Sequence, residues 1–123
     1  MSEVEGYAIG EETVLTTETR AAATRREELA PLREKIDRIN RELLELLRER
    51  AQVVLVIAER KRLQGAQAHD PWREEEMLAA LAREPLDPLL PSEMREIFSA
   101  IFRASLAMQN RLRSDYERGS AEK

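Results

Sequence analysis

Apolar side chains recur along residues 31–63 at the spacing of one very long helix, and that length constrains the fold more than any other feature. Leu32, Ile36, Ile39, Leu43, Leu46 and Leu47 supply its core side, because residues three and four apart share a helix face. Pro31 suits a first helical turn, so a break or fresh start is expected near Ala30. Gly65 suits the helix end. Such a helix is about 50 Å long, whereas a compact sphere of 123 residues is about 35 Å across. The helix overhangs its own domain, and an intertwined dimer would cover the exposed stripe.

Two shorter helices follow. Asp70-Pro71 opens the second, with Asp as N-cap and Pro at the first position; it carries Trp72, Met77, Leu78 and Leu81 and ends before Pro85. The segment 84–91 holds three prolines and is a loop. Ser92 is expected to cap a third helix to about Tyr116, with Phe98, Ile101, Phe102, Ser105, Gln109 and Leu112 on one stripe. Ahead of the first helix, residues 1 to about 15 show no apolar periodicity and read as a flexible tail. Thr16 or Thr17 could cap a helix through Ala21, Ala22 and Ala23. The expected organisation is a flexible or partly helical extension over 1–28, a helical domain over 29–118, and a frayed end over 119–123. The fold class is all-α: a three-helix protomer with a long first helix in an intertwined homodimer.

Polar residues interrupt the apolar stripes. Arg50 and Lys61 fall on the face of Leu43, Leu46, Leu47, Val54 and Ile57. They are eleven residues apart, so they point within about 20° of each other and lie about 16 Å apart along the axis. A buried charge without a partner is costly. Long side chains can snorkel from a core edge, or the pair can hold an anion between helices. Ser105 and Gln109, spaced i, i+4, repeat the oddity on the third helix; by themselves they read as satisfied interface residues. Together the four favour a ligand site. Arg grips a carboxylate as a fork and Lys as a point charge, while Gln and Ser fix orientation. Arg73 and Glu74 read as part of a solvated cluster, since Glu74, Glu75 and Glu76 are consecutive and acids favour a helix N-terminus. His69 reads as an exposed loop residue and Trp72 as a packing anchor.

Composition narrows the classes. Charged residues are 36% and aromatics 4%, which favours helices over sheets. A net charge of −4 gives no general basic field for nucleic acid. There is no cysteine and one histidine, which excludes disulfides, thiolate metal sites and a His-rich metal site. No apolar run approaches the roughly 20 residues of a membrane span, and Met-Ser-Glu-Val-Glu lacks the order of a signal peptide. A cytoplasmic protein with no membrane partner is expected.

The order of these residues resembles a known family. Leu32-Arg33-Glu34-Lys35-Ile36-Asp37-Arg38-Ile39-Asn40, then Leu43-Leu44-Glu45-Leu46-Leu47-Arg48-Glu49-Arg50, then Ile57-Ala58-Glu59-Arg60-Lys61 is similar to the first helix of the all-helical (AroQ-type) chorismate mutases. Asp70-Pro71-Trp72-Arg73-Glu74-Glu75 resembles their second-helix start, and Ile97 to Gln109 resembles their third-helix signature. The resemblance covers about residues 29 to 112.

The resemblance implies a three-helix protomer that dimerises by interlocking its first helices, which agrees with the length argument. It implies the rearrangement of chorismate to prephenate, on the branch leading to phenylalanine and tyrosine, with no cofactor. It also implies that Arg33 reaches in from the partner and, with Arg50, binds the two carboxylates. Arg33 lies about 100° around the helix from Arg50, so a dimeric site uses both more easily than an intrachain one. By the same resemblance, Lys61 spans a carboxylate and the ether oxygen, and Gln109 donates to that oxygen from the opposite side. Glu74, assisted by the Asp70 region, holds the ring hydroxyl, and Arg73 and Ser105 complete the pocket wall. Residues 1–28 have no counterpart in the minimal domain and suit a fusion remnant, a docking arm for another pathway enzyme, or a plain tail. The alternatives are an isochorismate–pyruvate lyase, which shares the cation clamp, and a non-catalytic helical regulatory or interaction module, which has no need of Lys61 and Gln109 on apolar stripes.

Overall fold

The computed structural model describes the backbone of residues 2–122 and the side chains of residues 17–119. Three helices follow in order: α1 (Ser2–Leu63), α2 (Pro71–Leu81) and α3 (Pro91–Glu122). There is no strand among the described residues, so the all-α, three-helix reading holds. No helix among them is long and apolar enough to cross a membrane. The chain divides into two units, Met1–Leu47 and Arg48–Lys123.

Several helix limits differ from those expected. The backbone is already helical at Ser2, where residues 1 to 15 read as a tail. Missing apolar periodicity says that a segment buries little; it does not by itself stop a Glu-containing segment from forming a helix. No break occurs at Pro31, which lies inside α1. Proline removes one helical hydrogen bond and crowds the carbonyl four residues back, a cost of about 3 kcal/mol. Strong helix formers on both sides, Glu27, Glu28, Leu29, Ala30, Leu32 and Arg33, carry the helix past it. At the other end α3 continues beyond Tyr116 and Gly119 to Glu122; Met1 and Lys123 lie outside the described residues.

Within the first unit, Leu29, Leu32, Ile36, Ile39, Leu43 and Leu46 follow one another at alternating steps of three and four, and all are exposed, between 36% and 61%. A 3.5-residue apolar repeat is the pattern of a helix that meets another helix along a seam.

The second unit has its own small core. Leu78, Met94 and Phe102 are buried, with Met77, Leu81, Leu86 and Phe98 packed around them. The rings of Phe98 and Phe102 meet at 6.4 Å in a tilted arrangement, which is the favourable geometry for an aromatic pair.

The turns of this unit are set by local chemistry. Gly65 has φ +74°, the left-handed conformation that ends helices without a Cβ penalty. Ala66 N–H donates to the Lys61 carbonyl at 2.8 Å and Gly65 N–H to the Arg62 carbonyl at 3.1 Å, which together make a Schellman cap. The cap folds the chain back over the last turn of α1. Asp70 then starts α2 as expected: its Oδ1 accepts from Arg73 N–H at 3.1 Å, and Pro71 occupies the first turn.

The start of α3 corrects the expected cap. Pro91 is the first helical residue and Ser92 lies within the first turn. Glu93 Oε1 reaches back to accept from Leu90 N–H at 2.8 Å, and the Leu90 carbonyl accepts from Met94 N–H. This is the acidic half of a capping box, with leucine at the position where Ser would usually stand.

Candidate active site

Seven of the eight residues singled out from the sequence line one cavity in the second unit. It has a volume of about 110 Å3. Arg50 and Lys61 come from α1; Asp70, Arg73 and Glu74 come from the start of α2; Ser105 and Gln109 come from α3. Val54, Ile57, Phe102 and Leu106 give it apolar walls, and Ala58 and Ala68 keep it open. Arg33, the eighth, belongs to the first unit and is exposed.

Each polar wall residue is held by its neighbours. Arg50 Nη1 donates to Ser105 Oγ at 3.0 Å, and its guanidinium carbon lies 5.5 Å from the centre of the Phe102 ring. Ser105 sits one helical turn after Phe102, so both reach the same guanidinium. Arginine has five N–H donors in a rigid fork, so this anchoring still leaves donors to meet a ligand. Lys61 Nζ stands 3.9 Å from Asp70 Oδ2, with the lysine side chain only 27% exposed. Asp70 therefore has two tasks on its two oxygens: Oδ1 caps α2, and Oδ2 faces Lys61. The distance to Lys61 is long for a charge-assisted hydrogen bond, so an incoming anion can share the ammonium without displacing a tight pair.

Two contributors were not legible as site residues. His69 is half exposed, as a loop residue should be, but it lines the cavity, and its Nε2 stands 3.6 Å from Glu74 Oε2. Loop residues carry no periodicity, and the Schellman turn that brings this one inward is a three-dimensional consequence of Gly65. Phe102 lay on the α3 stripe as a core residue; its proximity to Ser105 was the available signal. Glu74 and Arg73, solvated charges by composition but site residues by the family resemblance, both line the cavity, in the first turn that Asp70 caps. Trp72 is no packing anchor within the chain. It is 78% exposed because it occupies the outward face of the same turn.

A tight ion pair lies just outside the cavity. Arg62 donates two hydrogen bonds to Glu59, at 3.0 and 2.7 Å, which holds the Glu59 carboxyl below the ordinary carboxylate value and the Arg62 guanidinium above its own. Arg62 also lies over the Tyr116 ring at 5.6 Å. Glu59 and Arg62 satisfy each other on the outer surface of α1, whereas Arg50, Lys61 and Arg73 face inward against only two acids, Asp70 and Glu74. The cavity lining therefore carries three cations against two acids, with the amide of Gln109 and the hydroxyl of Ser105 beside them.

Residues 32–110 match the chorismate mutase type II family. The chain belongs to that family. It is 35% identical over 94 residues, 73% of this chain, to the bifunctional chorismate mutase/prephenate dehydratase of Aquifex aeolicus (strain VF5). It spans about a quarter of that relative's length, 26%. Two solved chorismate mutase structures from Thermus thermophilus are similar, each at 42% identity. Form II covers 68% of this chain and 96% of that one with a TM-score of 0.66; Form I covers 63% and 98% with a TM-score of 0.62. All seven of these expected site residues, like the rest of the cavity lining, lie inside the stretch matched to the chorismate mutase type II family.

The double use of Asp70 gives a test on stability. Asp70→Ala should cost about 1 kcal/mol through loss of the cap. Asp70→Asn, an equally good cap, should recover most of it while removing the charge facing Lys61. Chemical denaturation of both variants measures this, and equal losses would mean that the ion pair, not the cap, is what matters.

Proposed function

We propose that this chain rearranges chorismate to prephenate, acting as a cytoplasmic homodimer without a cofactor, with residues 29–118 as the catalytic helical domain and 1–28 as an extension. The observation that carries this reading is the composition of the cavity: three inward cations, an amide and a hydroxyl, with no activated nucleophile. Ser105 is the one hydroxyl among the described residues lining it, and it accepts a hydrogen bond from Arg50. A serine nucleophile needs the reverse, a base that takes its proton. Family membership and the two Thermus mutase structures support the same reading.

The reaction is one pericyclic step in which an ether C–O bond breaks as a C–C bond forms. It needs no proton transfer and no covalent intermediate. What a protein can add is the compact reactive conformer of a flexible dicarboxylate and positive potential where charge develops on the ether oxygen. Arg50, fixed by Ser105 and Phe102, binds one carboxylate in this scheme. Lys61 meets a carboxylate and the ether oxygen, and Gln109 donates to that oxygen from α3. Glu74 accepts from the ring hydroxyl with Asp70 beside it, and Arg73 closes the wall. These donors work best in a site from which water is excluded, since every electrostatic term strengthens there.

Arg33 completes the site from a second copy of the chain in this scheme. The exposed heptad-like seam from Leu29 to Leu46 supports it. An apolar stripe of that regularity calls for another helix, and Arg33 lies beside Leu32 on the same stretch.

Purified protein should remove the ultraviolet absorbance of chorismate with nothing added, and isochorismate supplied in parallel should stay intact. Lys61→Ala and Gln109→Ala should each lower kcat by about 10²- to 10³-fold with helicity unchanged. Turnover that survives Lys61→Ala would remove that residue from the scheme. Co-refolding Arg33→Ala with Lys61→Ala, each inactive by itself, should restore about a quarter of wild-type activity: half of the dimers are mixed, and each mixed dimer has one intact site of two. No recovery would show that Arg33 does not act across an interface.

A further inference from the structure

We propose that His69 is a positioning residue for the reaction, holding the Glu74 carboxylate in the orientation that receives the substrate's hydroxyl. This rests on the proposed function and on three observations. Both side chains line the same cavity, and His69 Nε2 stands 3.6 Å from Glu74 Oε2. His69 immediately precedes Asp70, whose cap to Arg73 N–H fixes the loop against the first turn of α2. The Schellman cap at Gly65 fixes the other end of the same loop. The imidazole is thus presented from a short loop held at both ends.

A glutamate needs such help. Its side chain has three rotatable bonds, and fixing it costs conformational entropy that a bound substrate would otherwise supply. The neighbouring charges pull it in different directions. Arg50 and Lys61 from α1 and Arg73 from α2 attract the carboxylate, and Asp70 repels it; α3 contributes only the uncharged Ser105 and Gln109. A Glu74 that collapses onto Lys61 or Arg73 would quench a cation meant for the substrate and withdraw its own acceptor. An Nε2–H donor from His69, 3.6 Å from Oε2, would hold that oxygen and leave the other for the hydroxyl. The contact tightens readily on binding, because catalytic hydrogen bonds are often long in ligand-free proteins. Arg95 pairs with Glu75 on the outer face at 3.1 Å, so the adjacent acid has its own partner and does not compete for His69.

The test is a double-mutant cycle in the full chain. His69→Ala should lower kcat about three- to tenfold with little change in unfolding midpoint, since the side chain is half exposed. His69→Gln, which retains an N–H donor, should recover most of the loss. Adding His69→Ala to Glu74→Gln should change nothing further, whereas additive losses would overturn the inference, because residues that act through one another do not add. His69 is the single histidine of the chain, so its ring 15N resonances are unambiguous. They should shift in Glu74→Gln relative to wild type, and an unchanged spectrum would overturn the proposal whatever the turnover. Absence of chorismate turnover in the wild type would instead overturn the mutase reading.

Discussion

The hydrogen bond from Arg50 to Ser105 is the contact on which the second unit's arrangement turns. It joins α1 to α3 through two polar side chains on otherwise apolar stripes, with the guanidinium also lying over Phe102, one of the three buried core residues. One charged group therefore serves core and cavity together. Burying part of a guanidinium is unfavourable unless its donors are met. Ser105 and the ring face meet some of them, and the remaining edge faces the cavity. An anion entering there would meet a cation already partly desolvated and oriented, so part of the cost of binding is met in advance.

The same economy recurs at the junction of α1 and α2. Gly65 ends the first helix, the Schellman turn folds the chain back, and Asp70 begins the next helix while facing Lys61. Two helix ends and one catalytic candidate are thereby fixed by a loop of a few residues. Three cations against two acids around a small cavity is a poor way to build stability. It is a sound way to bind a dianion, in keeping with the general opposition between a stable core and a functional site.

What was legible in the sequence divides along physical lines. Periodicity located Arg50, Lys61, Ser105 and Gln109 because a polar residue on an apolar face is visible at a fixed angular step. Local capping chemistry located Gly65 and Asp70 because a left-handed glycine and an aspartate before proline act within a few residues. The same rules misjudged the entry to α3, where Glu93 rather than Ser92 supplies the capping oxygen, and the passage of α1 through Pro31, where strong helix formers outweigh one lost hydrogen bond. His69 was unreadable as a site residue, because a loop has no period and its inward turn depends on how the helices meet. Resemblance, not periodicity, singled out Arg73 and Glu74, since three consecutive acids look like a wet helix end until the cap orients them.

The proposed function requires the cation-lined cavity built by the three helices to hold a compact dicarboxylate. Calorimetric titration of the wild type and of Arg50→Ala with a stable bicyclic dicarboxylate, shaped like the compact conformer, tests it most directly. One ligand should bind per chain, and Arg50→Ala should weaken binding by at least about 30-fold, corresponding to a lost charge-assisted contact of about 2 kcal/mol. Equal affinity in the two proteins, or no binding to the wild type, would contradict the account.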